Sequence, residues 1–219
     1  MAPGIHWEWR GFGAVSGLFA RRFCAMRVLY PSGSVRDGYL WVPGLEVNVK
    51  VRDLPEEPFK LKRLLGKDGE LEQWAEKPED VYRFPLDEPG WEALAGTLAT
   101  ANVTLGPYPP GKADAETTRA RLEAVGAKTV TVDKVRQSSL WQGPHGKVKV
   151  EWTCISSPQA VISIGLETWA EDAGGQGLPD REAKEDLLTA IKELGLRDEP
   201  LRALNYVDAI AVWAVGDRV

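Results

Sequence analysis

Residues 44–53 read GLEVNVKVRD. Leu45, Val47, Val49 and Val51 alternate with Glu46, Asn48, Lys50 and Arg52. Strict alternation is the period of a strand with one packed face and one polar face. The apolar face is mainly β-branched and needs a cover. The polar face carries two cations and a carboxylate, so it is either wet or it lines a site.

The same pattern recurs along the chain. Near the start, Ile5, Trp7 and Trp9 alternate with His6, Glu8 and Arg10. DGYLWV (37–42) follows a segment with no clear period. After the Pro-rich loop LPEEP (54–58), Phe59 and Leu61 oppose Lys60 and Lys62. Three further alternating runs are 128–141, 146–155 and 160–172, with QGPHG and SSPQ as turns. Helices are predicted at 88–99, with Pro89 near the start, and at 113–127, with Asp114 as N-cap and Gly126 as stop. Another is predicted at 179–196, between Asp180 and Gly195, and the apolar run at 204–215 must also be covered. GKDGELEQW (66–74) receives no element. This pattern predicts an α+β fold with a mostly antiparallel sheet. The chain reads as a single domain, 1–219, in two halves of about 1–106 and 112–219 joined by the Pro/Gly-rich linker LGPYPPGKAD.

Composition sets the outer limits. The chain has 219 residues, 43% of them hydrophobic, and a net charge of −5. It is long enough to close a core without staples. No apolar run approaches a membrane span, and MAPGIHWEWR has no apolar leader segment. Cys24 and Cys154 lack metal-site spacing and read as two buried free thiols in a cytoplasmic protein. The acidic balance argues against broad nucleic-acid binding.

The polar faces of the strands reverse that sign. They collect Arg10, Lys50, Arg52, Lys60, Lys62, Lys134, Arg136, Lys147 and Lys149, nine cations, against Glu8, Glu46, Glu151 and Glu167, four carboxylates. A solvated sheet face laced with Lys/Glu pairs explains any one strand. Across six strands it predicts a face as acidic as the rest of the surface, and this one is basic. Arg and Lys hold phosphate oxygens, and glutamates hold Mg²⁺ or Mn²⁺. A sheet closed into a barrel places all of them round one lumen. Like charges crowded there predict that Arg52→Ala and Lys134→Ala leave the protein as stable as before, or more so. Trp7, Trp9 and Trp152 are expected to bury under helices, whereas Trp169 shares the Glu167 face. The basic run RRFCAMR (21–27) reads as a solvated helical turn or as a rim that steers anions.

In order along the chain, HWEWR, VTVDKVRQ after EAVGA, VKVEWTCI with ISIGLETWAED, and LLTAIKELGL with LNYVDAI resemble the CYTH superfamily, the triphosphate tunnel metalloenzymes. The likeness spans nearly the whole chain. It implies an eight-stranded antiparallel β tunnel with helices outside, and hydrolysis or cyclisation of triphosphates with Mg²⁺ or Mn²⁺. By that resemblance Glu8, Glu151 and Glu167 are metal ligands. Arg10, Lys50, Arg52, Lys60, Lys62, Lys134, Arg136, Lys147 and Lys149 bind substrate, and Glu8, Glu167 and Lys134 are catalytic. The pattern departs from the family at His6, Arg10 and Trp169, where glutamate, lysine and glutamate are usual. Glu46 is one substitute for a missing carboxylate, and His6 either ligates a metal or hydrogen-bonds Glu8.

The implied function is a metal-dependent hydrolase of tripolyphosphate or of an organic or nucleoside triphosphate. The alternative is a tunnel protein that only binds polyphosphate, nucleotide or another anion; an adenylate cyclase is the third reading. The expected partner is thus a small triphosphate or polyphosphate, with no membrane. Oligomeric state is left open.

Overall fold

A computed structural model describes residues 4–52, 59–76, 80–111, 113–168 and 179–219. Trp169, Lys112 and the 54–58 loop lie outside the described residues, as does the side chain of Arg52. The first half supplies β1 (Gly4–Gly13), α1 (Gly17–Ala25), β2 (Arg27–Trp41), β3 (Val47–Arg52), β4 (Phe59–Asp68), β5 (Leu71–Glu76), the short β6 (Val81–Tyr82) and α2 (Glu88–Ala99). The second supplies α3 (Ala115–Ala124), β7 (Lys128–Gln142), β8 (Lys147–Ser157), β9 (Val161–Thr168), α4 (Asp180–Leu194), β10 (Leu201–Ala203) and α5 (Tyr206–Ala214).

Eight strands run β1–β5–β4–β3–β2–β7–β8–β9, all neighbours antiparallel, and β9 pairs back onto β1. The alternation that opens at Val47 therefore belongs to the wall of a closed antiparallel barrel, as β3. Closure makes β1 serve three partners. Gly4–Glu8 pair with β5, Glu8–Gly13 with β9, and Gly11–Gly13 with β10. That crowding requires glycine: a Cβ at Gly13 would lie 2.1 Å from the Pro200 carbonyl oxygen, with φ at +157°.

The outward apolar face is covered in two patches. Trp7, Trp9, Val148, Val150, Ile164 and Leu166 pack under α4 and α1. Phe19 and Phe23 of α1 reach the half-buried Trp152, with ring centroids 5.5 and 5.4 Å away. Leu40, Val49, Phe59 and Leu61 pack under α2, through Trp91, Leu94 and Leu98. Each fully buried side chain of this size contributes roughly 1.5–3 kcal/mol. Local signals set the helix bounds. Asp87, Asp114 and Asn205 accept amide hydrogen bonds at the starts of α2, α3 and α5, and Gly195 ends α4 at φ +73°.

All five helices lie outside the wall, but α5 is set across one end of it. Tyr206, Ala209, Ile210 and Trp213 pack on the inward residues Phe12, Tyr39, Val130, Val132 and Ile155. At that end the lumen is apolar and stoppered. The other end, called the mouth below, gathers the starts of β1, β4 and β8 and the ends of β3, β5 and β9.

Three expectations need correction. Cys24 and Cys154 are free but exposed, because the helices over β8 cover Val148, Val150 and Trp152 and stop short of Cys154. The segment before DGYLWV holds α1 and then β2, which begins at Arg27 and pairs with β7 for most of its length, with register shifts between Val28 and Tyr30 and between Tyr30 and Gly33. Its early part is mostly exposed on both faces, so no alternation marks it. Residues 71–76 form β5, which the sequence reading left without an element. Gln73 interrupts its outer apolar face and instead reaches Asp180 at 3.4 Å.

Candidate functional site

The alternation sends His6, Glu8, Arg10 and Phe12 of β1 inward. The registers then bring Glu72 and Glu167 opposite Glu8, Trp74 opposite His6, and Gly165 opposite Arg10. Lys60 and Lys62 stand opposite Lys50 and Asn48, and Lys149 stands opposite Glu167. These described residues thus face one another inside one barrel.

Deepest in the lumen is a locked layer. Arg10 donates from Nε to Glu8 Oε1 at 2.9 Å, and from Nη1 to Glu151 Oε1 at 3.3 Å and Ser163 Oγ at 3.1 Å. Its guanidinium lies 4.8 Å over the Tyr206 ring. Gly165 makes the room, since a Cβ there would come within 2.6 Å of Arg10 Nη2. The other oxygen of Glu151 takes Arg136 at 3.5 Å. Burial alone would raise the Glu151 carboxyl, but Arg10, Lys149, Arg136 and Lys134 overrule it and hold it near a pKa of about 2. Beside it, Lys134 Nζ pairs with the fully buried Asp37 at 2.8 Å and donates to Tyr39 Oη at 3.0 Å and Tyr206 Oη at 3.5 Å. Burial would lower this ammonium; Tyr206, Tyr39 and Asp37 raise it instead, so it is a fixed cation.

Nearer the mouth stand His6, Glu8 and Glu167, with one donor atom each, all within 4.8 Å of one another. His6 Nδ1 lies 3.3 Å from the Gly4 carbonyl oxygen. His6 Nε2 is buried without a well-formed hydrogen bond, though it lies 3.2 Å from Glu167 Oε1 and 3.7 Å from Glu8 Oε2. Lys62 Nζ meets Glu8 Oε2 at 2.5 Å, over the Trp74 ring, and Lys149 pairs with Glu167. Both carboxyls would rise through burial. Lys62, Arg10 and His6 hold Glu8 well below the carboxylate range; Lys149, His6 and Lys62 do the same for Glu167. Burial would lower Lys149, but Glu167 and Glu151 push it up to about 12.

The mouth itself is ringed by half-exposed charges. Lys60 reaches Glu76 at 3.5 Å, Lys50 lies 3.9 Å from Asp37, and Lys147 is half-buried at the start of β8. Glu46 is exposed at the opposite end and joins none of these groups. Glu151 stands apart from the His6, Glu8 and Glu167 group, its two oxygens held by arginines.

Sequence reasoning missed Asp37, Tyr39, Glu72, Trp74, Glu76 and Tyr206 as lining residues. Glu72, Trp74 and Glu76 do alternate, so their period was available once β5 was recognised. Asp37 and Tyr39 lay in DGYLWV, whose faces cannot be assigned without the partner strand. Tyr206 comes from a helix, where a two-residue period gives no signal.

No family model matches the chain, and no curated protein matches it in sequence. Solved structures do. A conserved hypothetical protein from Pyrococcus furiosus superposes with a TM-score of 0.53 at 16% identity, over 92% of this chain and 98% of that one. A protein from Pyrococcus horikoshii OT3 gives 0.54 at 15% identity, over 93% and 98%. A looser match, TM-score 0.38 at 13% identity over 89% and 92%, is a candidate adenylate cyclase from Bacillus halodurans, and at that score it carries no argument. At these identities the likeness establishes the fold alone, shared over nearly the full length of each chain.

Proposed function

We propose that the barrel is a divalent-metal-dependent hydrolase of a triphosphate or polyphosphate that enters at the mouth. One observation carries the reading. His6, Glu8 and Glu167 bring three ligand atoms within 4.8 Å of one another beside half-buried lysines. The donor set fits one hard divalent ion, and the imidazole inclines it toward Mn²⁺ over Mg²⁺. The orphaned buried Nε2 of His6 is the kind of group such an ion satisfies. When bound, the ion would supply charge neutralisation and a water of lowered pKa.

The remaining roles belong to the chain. Glu8 and Glu167 are held ionised, as ligands must be. Lys62, Lys149 and Arg136, with Lys50 and Lys60 at the mouth, would hold phosphoryl oxygens. Arg10 is spent on Glu8, Glu151 and Ser163, so it positions Glu8 and does not reach for substrate. Lys134 keeps its proton and acts as a fixed positive charge behind the site, not as a base. The stopper of α5 keeps the deep end dry, where charge interactions are stronger.

The test is phosphate release from tripolyphosphate with Mg²⁺ and with Mn²⁺. Release is expected from the wild type, with at least a hundredfold loss in both Glu8→Gln and Glu167→Gln. Full activity in both variants would overturn the ligand assignment. A second reading is favoured by one observation: each described inward carboxylate named above already has a cationic or amide partner, as in a binding protein with little turnover. Tripolyphosphate that raises the melting temperature without being cleaved is the outcome that selects it.

A further inference from the structure

We propose that a divalent cation and a phosphate-like anion bind this barrel by partner exchange, each taking groups now paired with each other and so tightening the other. The inference rests on the reading of His6, Glu8 and Glu167 as metal donors. Both carboxylates of that group are held by lysines, Glu8 on the oxygen that faces His6 and Glu167 on its other oxygen. Glu8 Oε2 carries Lys62 at 2.5 Å, and Glu167 Oε2 carries Lys149. A metal ion at this group competes with Lys62 for Glu8 Oε2 and, by drawing on the charge of the Glu167 carboxylate, weakens its pairing with Lys149. Each lysine side chain is about 20% exposed. A cation this buried that loses its carboxylate is costly unless another anion takes its place. A phosphate or sulfate oxygen is that replacement.

Arg10 marks the limit of the exchange. It also touches Glu8, but Glu151 and Ser163 hold it as well, so releasing Glu8 leaves it partnered. Lys60 marks the other limit. It is paired with Glu76, outside the donor group, so a metal ion frees nothing there. The exchange is thus confined to Lys62 and Lys149. Reciprocity requires the anion to raise metal affinity by the same factor as the metal raises anion affinity, and such couplings run from roughly fivefold to 150-fold.

The experiment measures Mn²⁺ affinity by calorimetry in chloride and in sulfate at equal ionic strength. Sulfate is chosen because it chelates Mn²⁺ only weakly in solution. The wild type is expected to bind Mn²⁺ at least fivefold tighter in sulfate. Lys149→Met should bind Mn²⁺ tighter than wild type in chloride and gain less than twofold from sulfate. Lys62→Met should behave alike. Lys60→Met removes the same charge but no exchange partner, so at saturating sulfate it should keep the wild-type gain in Mn²⁺ affinity even though it weakens the binding of sulfate itself. If Lys60→Met loses the gain as fully as Lys149→Met, bulk charge explains the coupling and exchange is overturned. If Mn²⁺ and sulfate both bind the wild type but independently, exchange fails while the metal site stands. If neither binds, the metal-site reading fails and takes the exchange with it.

Discussion

The two ends of the barrel are built from the same strands and do opposite things. At the stoppered end, Phe12, Val130, Val132 and Ile155 meet α5, and buried ionic groups beside them are locked together, Lys134 with Asp37 and Arg10 with Glu151. Toward the mouth, Lys60 is about a third exposed and lies 3.5 Å from Glu76, and Lys62 and Lys149, each about a fifth exposed, hold the carboxylates of the donor group. A closed lumen can therefore hold charges for two purposes. Deep ones fix geometry, and outer ones remain available to a ligand.

The sharpest way to break this contrast is to remove Lys134. Sequence alone suggested that an emptied cation relieves repulsion. Within the structure Asp37 would be left buried without its closest cation, which typically costs about 3–5 kcal/mol. Lys134→Ala should lower stability by that order in urea unfolding, while Lys60→Ala should stay within about 0.5 kcal/mol of wild type. Equal effects would mean that the two ends do not differ in kind.

Acid probes the locked layer next. Glu151 has a folded pKa near 2, below its ordinary value of 4.5. A depressed carboxyl gives stability that is fully present above its unfolded pKa and is lost as pH falls through the folded one. Stability should be flat above about pH 5 and decline from about 4.5 toward 2. The Glu8 and Glu167 carboxyls, also depressed, add to the same limb. Urea midpoints across that range check it.

At the mouth the effect is smaller and depends on ligand. Tripolyphosphate at a hundredfold excess over Kd should stabilise the wild type by about 2.7 kcal/mol. Lys60→Ala should lose part of that gain, and added salt should weaken it further. Thermal-shift titrations at two salt concentrations measure both. Smallest of all, Cys154→Ser lies on the uncovered outer wall and should change stability by less than about 0.5 kcal/mol.

Legibility followed the two-residue period. Where one face was apolar and the other charged, as in Val47–Lys50 and Lys147–Thr153, the inward set could be read from the sequence alone. Where Gln73 broke the apolar face, a whole strand with Glu72, Trp74 and Glu76 vanished from view. Pairing was harder still. Period shows that Lys134 and Lys149 share a lumen, but only the register across β7, β8 and β9 shows that one is tied to Asp37 and the other to Glu167. The thiols were misjudged because an apolar strand pattern does not say where a covering helix stops.

The seam between β1 and β9 has one more consequence, and it concerns time. Glu8 faces Glu167 across the pairing that closes the barrel, although they stand about 160 residues apart in the chain. During synthesis the first strand must wait, with its partner edge open, until about three-quarters of the polypeptide has been made. Loop-closure entropy of that size makes closure a late and slow event. The donor group is assembled by that last step, so a nascent or partly folded chain carries the residues of the site without possessing the site.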